Sequence, residues 1–253
     1  DHGAVLSVVN VPAVLPAGIS YDAATHSFSI NPADPAFQSL AQGEMQTFSV
    51  SYGISDGMAT TMTSVEFTVI GVNDAPVVTG PILSSPNEDG NIVSVNALGN
   101  TTDADDPQFQ GHGLFVKDVP ASLPAGVSYD AATQRFSLDP SNAAYQSLSS
   151  GESTDVTVSY TVSDGYVEVP TSVIFTVSGK NDAPVVSGTV QAGSISENAP
   201  ALDIGLLANA ADIDHLDVVH VKTGQGAAVT ADVTSGTWTA PVAFNVVNDH
   251  LVI

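Results

Sequence analysis

A repeat of 108 residues runs through this 253-residue chain, and it limits the fold more than any other feature. LPAGISYDAATHSFS at 15–29 returns as LPAGVSYDAATQRFS at 123–137. VSYGISDG at 50–57 returns as VSYTVSDG at 158–165, and GVNDAPVVTG at 71–80 as GKNDAPVVSG at 179–188. Counted without a gap from Gly3/Gly111 to Gly80/Gly188, 45 of 78 aligned positions are identical, so both stretches must adopt one fold. A third copy begins more loosely: 87–106 is echoed by 196–215, with Asp103 and Asp105 matching Asp212 and Asp214. Asp1-His2 looks like the tail of that same element, as in Asp214-His215. The phase predicts a first repeat at 1–76 lacking its N-terminal strands, a complete one at 77–184, and the N-terminal part of a third at 185–253.

Each repeat reads as β. Val156, Val158, Tyr160 and Val162 alternate with Thr157, Ser159 and Thr161, as do Phe48, Val50, Tyr52 and Ile54 in the first copy. Val173, Phe175 and Val177, with Val65, Phe67 and Val69, form a second such run. Period-two alternation of β-branched and aromatic residues predicts half-buried antiparallel strands. Pro-Ala-Gly, Asp-Ala-Ala-Thr, Ser-Asp-Gly and Asn-Asp-Ala-Pro supply the turns between them. Short strands at this spacing predict an all-β fold of tandem cadherin- or immunoglobulin-like β-sandwiches. The helix-like stretches are confined to 35–44 and 142–152, a turn or two at most.

Charge narrows the functional classes. Asp and Glu number 27 against four Lys and Arg, a formal net charge of −23. Such a surface repels nucleic acid and anionic lipid. It also opposes a compact state by self-repulsion unless cations, salt or spacing relieve it. There is no cysteine, so disulfides and thiolate metal sites are excluded, and stability must come from packing or hard cations. No run of 18 apolar residues occurs, and the chain does not open on a signal-peptide pattern; no membrane insertion is expected.

The acids cluster at the joints. Asn73-Asp74-Ala75-Pro76 and Asn181-Asp182-Ala183-Pro184 separate one repeat from the next, and each proline stiffens its joint. Glu88 follows the first joint closely, and Asp103, Asp105 and Asp106 fall within four residues. Carboxylates this dense repel one another unless a cation sits among them, and hard cations take oxygen ligands, six to eight for calcium. Magnesium demands tighter octahedral geometry, which favours calcium. Plainer readings stand beside this one. Asp56-Gly57 and Asp164-Gly165 are hairpin-turn dipeptides, Asn-Asp-Ala-Pro can simply cap a strand, and Glu44 and Glu152 follow Gly as solvated turn residues would.

The linkers GVNDAPVV and GKNDAPVV, with LPAGxSYDAAT and VSYxxSDG, closely resemble the bacterial cadherin-like (VCBS-type) repeats of large secreted RTX adhesins. The resemblance covers nearly the whole chain. It implies calcium-rigidified extender arrays at the bacterial cell surface, concerned with adhesion and biofilm formation. The motifs are also similar, in the same order, to the calcium-binding set of animal cadherins. Glu152 in Leu-Ser-Ser-Gly-Glu resembles the acidic motif before a long strand, Asp164 the motif that ends it, Asn181-Asp182 the linker, and Asp103-Ala-Asp105 the D-x-D motif. Carried over, the first junction gathers Glu44, Asn73, Asp74, Asp103, Asp105 and Asp164. The second gathers Glu88, Glu152, Asn181, Asp182, Asp212 and Asp214. The linker lacks the leading Asp and second Asn of the animal pattern, and Glu44 lacks an acidic neighbour two residues earlier, so one calcium per junction is expected.

Catalytic signatures are missing. Six scattered His give no zinc spacing, and neither a G-x-S-x-G elbow nor a P-loop is present. Acidic pairs that recur in each repeat differ from a glycosidase dyad, which occurs once in one cleft. No enzyme is expected. The first reading is therefore a calcium-braced extender of a secreted adhesin whose partners are neighbouring repeats and whose distal ligand is unknown. A second is a glycan- or peptide-binding module, for which the irregular 216–253 is the candidate, although Trp238, the sole tryptophan, is expected to fill the third core. A third is a filament subunit that self-associates by strand addition.

Overall fold

The computed structural model describes residues 5–105, 113–191, 193–194, 196, 198–200, 202–217, 219, 245–247 and 250–252. Asp1-His2, Asp106, Trp238 and most of 216–253 lie outside the described residues. The first repeat contributes β1 (Ser7–Val9), β2 (Ile19–Asp22), β3 (Ser27–Ile30), β4 (Met45–Ser55) and β5 (Thr60–Ile70). The middle repeat contributes β6 (Val77–Val78), β7 (Ile82–Ser84), β8 (Val93–Asn96), β9 (Thr101–Thr102), β10 (Phe115–Lys117), β11 (Val127–Asp130), β12 (Arg135–Leu138), β13 (Ser153–Ser163) and β14 (Glu168–Ser178). Then follow β15 (Val185–Val186), β16 (Asp203–Gly205), β17 (Ala210–Ala211), β18 (Asn245–Val247) and β19 (His250–Val252). The fold is all-β.

The chain divides into two compact units. The first comprises Asp1–Leu83, Ser94–Ser137 and Thr157–Ile174; the second comprises Ser84–Val93, Leu138–Val156 and Phe175–Ile253. In the first unit β4 and β5 form an antiparallel hairpin in register from Met45↔Ile70 to Ser55↔Thr60, and β1 pairs with the other edge of β4. The turn is built by Asp56, whose carboxylate accepts from the Met58 and Ala59 amides at 2.9 and 2.8 Å, with Gly57 at φ 90°. Only glycine holds that φ without strain. Cross-strand partners Phe48↔Phe67 and Val50↔Val65 share the inward face, as the alternation requires.

Opposite this sheet lies the β2–β3 hairpin, with Phe28 stacked between Tyr21 and Tyr52 at ring distances of 4.8 and 5.4 Å. The same layering recurs in the middle repeat, where Phe136 of β12 meets Tyr129 at 4.7 Å and Tyr160 of β13 at 5.1 Å. Two sheets thus close on one aromatic core, which makes each repeat a β-sandwich. The copies differ in closure. In the middle repeat the sheet orders are β10-β13-β14-β7 and β11-β12-β8, whereas those of the first repeat end at β5 and β3. Phe136 and Val173 are fully buried, while their counterparts Phe28 and Val65 remain half-exposed.

The helix-like stretch at 35–44 becomes a single 3-10 turn, Pro35–Phe37, capped by Asp34. Its copy forms turns without a helix, capped by Asn142 onto the Ala144 amide. Both end at a glycine soon after, so neither has the length to propagate a helix. Both still bury an aromatic residue, Phe37 or Tyr145. The stretch packs against the end of the long hairpin so closely that a Cβ on Gly71 would stand 2.3 Å from the Leu40 and Ala41 oxygens. Gly179 repeats this against Leu148 and Ser149.

Tyr160 is buried, and its hydroxyl donates to the Ala97 carbonyl at 2.7 Å. Burial, and then the Tyr129 phenol, push its pKa up from 10.0 to about 12. A folded pKa above the unfolded value contributes stability that is present below about pH 10 and is lost as pH rises towards about 12. Tyr160→Phe is expected to cost about 1–2 kcal/mol in urea denaturation, because it strands a buried carbonyl. It should also remove the highest-pH phenolate step from an ultraviolet titration.

Candidate functional site

Two acidic clusters form where the linkers meet the D-x-D segments. Each is assembled by the same backbone device. The amide of the linker aspartate donates to the second aspartate of D-x-D: Asp74 N–H to Asp105 Oδ2 and Asp182 N–H to Asp214 Oδ2, both at 2.8 Å. That aspartate is in turn set by an Asx turn, with Asp105 N–H on Asp103 Oδ1 at 2.9 Å and Asp214 N–H on Asp212 Oδ1 at 3.1 Å. Short pairings, β6 with β9 and β15 with β17, bring each linker alongside its D-x-D segment.

In the first cluster, Asp164 ends β13 and is buried. Its Oδ1 accepts from the Tyr166 and Val167 amides, both at 2.7 Å, and its Oδ2 accepts from Asn73 Nδ2 at 2.9 Å. The hairpin-turn role and the cluster role therefore use different oxygens of one carboxylate. Burial raises the Asp164 pKa, but the Val167 amide, Asn73 and the Tyr166 amide together hold it below the usual value. Asp105 goes the other way: burial raises it most, and the negative charges of Asp74, Asp164 and Glu44 add to the rise. Its Oδ1 is buried with no hydrogen-bond partner. Glu44 also accepts from the Ala41 amide at 3.1 Å, and Asn73 N–H donates to Gln42 Oε1 at 2.8 Å. Gln42 was not singled out by the sequence, since nothing in its copy, Ser150, marks that position.

In the second cluster, carboxylate oxygens of Glu88, Asp182 and Asp214 lie within 4.8 Å of one another, and so do those of Asp212, Asp214 and Asp217. Glu88 is fully buried, 0% exposed, and Asp214 is 2% exposed. Glu88 Oε1 accepts from the Lys180 amide at 2.5 Å, but Glu88 Oε2 and Asp214 Oδ1 are buried without partners. Burial, and then Asp182, Asp214 and Asp89, raise the Glu88 pKa; burial, and then Asp89, Asp214 and Asp212, raise that of Asp182. Glu152 takes a different place: it accepts from the Ser149 amide at 2.9 Å and faces His215 Nδ1 at 3.3 Å. Asn181 Nδ2 folds back onto the Asp182 carbonyl at 2.5 Å. Asp217 was missed by the sequence reading, although an acid three residues beyond D-x-D was the signal available.

The donor set is all oxygen. At an effective dielectric constant of about 20, two carboxylates some 5 Å apart repel by about 3 kcal/mol, and a buried, unsatisfied carboxylate adds desolvation cost. A hard divalent cation fits both needs, and thiolate ligands are absent from the sequence.

No protein-family model matches the sequence, and no curated protein matches it. Solved structures with similar strand architecture include PcdhgB3 EC1-4, 14% identical over 98% of this chain and 57% of that one, with a TM-score of 0.47. Mouse protocadherin-24 EC1-3 is 15% identical over 83% of this chain and 66% of its own, at 0.39. An endo-fucoidan hydrolase from glycoside hydrolase family 107 is 14% identical over 78% of this chain and 25% of its own, at 0.29. The chain thus spans less than two thirds of the length of each, and likeness at this level transfers no residue role.

Glu88, with its folded pKa raised, contributes stability at acid pH that is lost as pH rises from about 4.5 through the folded value. In chelator, the melting temperature of the chain should therefore fall less steeply between pH 4.5 and 7 in Glu88→Gln than in the unaltered protein. Parallel slopes would show that Glu88 is not held in an uncompensated site.

Proposed function

We propose that this chain is a calcium-braced extender segment of a secreted, cell-surface bacterial adhesin, built from cadherin-like repeats divided at 76/77 and 184/185. The reading rests on one observation above all: two buried carboxylate oxygens, Glu88 Oε2 and Asp214 Oδ1, lack hydrogen-bond partners beside Asp182. A calcium ion among them would supply the missing charge and ligands. At the first joint the candidate set is Glu44, Asn73, Asp74, Asp103, Asp105 and Asp164. At the second it is Glu88, Asn181, Asp182, Asp212 and Asp214, with Asp217 added and Glu152 contributing from the side occupied by His215.

The work done is mechanical rather than chemical. Linker, D-x-D segment and strand end are already joined by single hydrogen bonds through Asp74–Asp105 and Asn73–Asp164. A shared cation would convert these bonds into a cross-link that resists bending at Asn73–Pro76, and its counterpart would do so at Asn181–Pro184. Adhesion, biofilm formation and an extracellular setting follow from the resemblance of the linkers to RTX adhesin repeats. The excess of acid and the absence of cysteine are in keeping with that setting. Among the described residues no helix is long and apolar enough to cross a membrane.

Calcium that binds only the folded state stabilises it by about 2.7 kcal/mol at a hundredfold excess over the dissociation constant. Calorimetry of the chelated chain should show the melting temperature rising with calcium, and magnesium should produce a smaller rise at equal concentration. Asp214→Asn should lose the part of the response that belongs to the second joint. A melting temperature indifferent to both ions would overturn the proposal.

A further inference from the structure

The two copies differ at one place where the sequence is nearly the same. In the first repeat a cavity of about 230 Å³ opens between the 3-10 turn and the end of β5, lined among others by Phe37, Gln38, Leu40, Ile70 and Val72. Ile70 and Val72 are 55% and 72% exposed there. The counterparts of these five, by the 108-residue offset, are Tyr145, Gln146, Leu148, Ser178 and Lys180. In that copy the equivalent place is filled by Pro86-Asn87-Glu88.

The seating of that segment is specific. Asn87 forms a parallel bridge with Ser178: the Ser178 amide donates to the Pro86 carbonyl, and the Glu88 amide donates to the Ser178 carbonyl, both at 3.0 Å. Gln146 Nε2 bonds the Pro140 carbonyl at 3.2 Å and the Glu88 carbonyl at 3.3 Å, and the Lys180 amide holds Glu88 Oε1. The first repeat has each of these groups in place. Gln38 Nε2 already bonds the Pro32 carbonyl at 3.3 Å. The Gly71 amide and carbonyl both point to the Glu44 and Gly43 backbone, so alternation turns those of Ile70 outward, as at Gly179 and Ser178.

We propose that the first-repeat cavity is a docking site for an extended peptide strand of the Ser-Pro-Asx-Glu type, which pairs with Ile70 and delivers its glutamate carboxylate to the Asp74–Asp105 cluster. The occupant is identified by what fills the identical framework 108 residues later. Its proline sits against the apolar lining, its backbone continues the sheet edge, and its glutamate takes the Val72 amide. Arrival of one more carboxylate in an acidic cluster is favourable only with a cation present; that clause rests on the function proposed above. Docking of the backbone and proline does not.

The test is fluorescence anisotropy of a labelled peptide, PILSSPNEDGNI, with the full 253-residue chain, in calcium and in chelator. Saturable one-to-one binding is expected in calcium, about tenfold or more weaker in chelator. The same peptide with Glu replaced by Gln should bind equally in both, and Gln38→Ala in the chain should weaken both peptides without altering the calcium response of the melting temperature. If neither peptide binds while calcium still raises the melting temperature, the docking site is overturned and the cation reading stands. If both peptides bind alike with and without calcium, docking stands and the cation at this joint is overturned. Dimers of the chain alone that excess peptide fails to dissociate would assign the cavity to a second copy and overturn the proposal.

Discussion

The hydrogen bond from a linker amide to the second carboxylate of D-x-D, at Asp74–Asp105 and again at Asp182–Asp214, organises both joints. It brings an acidic loop back onto the stretch of chain that ends the preceding hairpin. Once this contact is made, the other acids follow from the fold: Asp164 arrives because it closes the β13–β14 turn, and Glu88 because its segment bridges to Ser178. The result is a high local density of negative charge with burial at its centre. Burial of the unpartnered oxygens is then what calls for a cation, more than the number of acids does. An exposed acidic cluster would be screened by water and salt and would need nothing.

Comparison of the two clusters separates what the sheet frame imposes from what each joint adds. The frame is duplicated: the same Asx turns, the same linker amide, the same glycine against the turn at Gly71 and Gly179. Only the second cluster, among the described residues, contains a fully buried glutamate, and only there do three carboxylates converge within 4.8 Å. His215 adds a further difference. Its ring meets the Ser147 carbonyl at 2.6 Å and Glu152 at 3.3 Å, so Glu152 is shared with a basic group and lies to one side of the Glu88–Asp182–Asp214 set.

Much of the fold was legible because strand alternation is a local property. Val156, Val158, Tyr160 and Val162 are buried as their period required, and the turns fall at Ser-Asp-Gly and Asp-Ala-Ala-Thr, where Asp22 and Asp130 bond their own loops. The helical stretches shrank to a single 3-10 turn because proline, the Asp34 cap and a nearby glycine leave no room to propagate. The joint was legible only in outline. Motif order named Asp103, Asp105, Asp164 and the linkers, but which of them would be buried depends on contacts across 31 to 92 residues. Neither the enclosure of Glu88 nor the sideways position of Glu152 is written in spacing. The same holds for the half-open core of the first repeat, whose sequence is nearly that of its closed copy.

Anomalous diffraction from a crystal grown in calcium tests the central claim most directly. The account predicts a calcium peak coordinated by Glu88, Asp182 and Asp214, with Glu88 Oε2 and Asp214 Oδ1 among the ligands. Those two oxygens bonded only to water or protein, with no anomalous peak between them at saturating calcium, would contradict it.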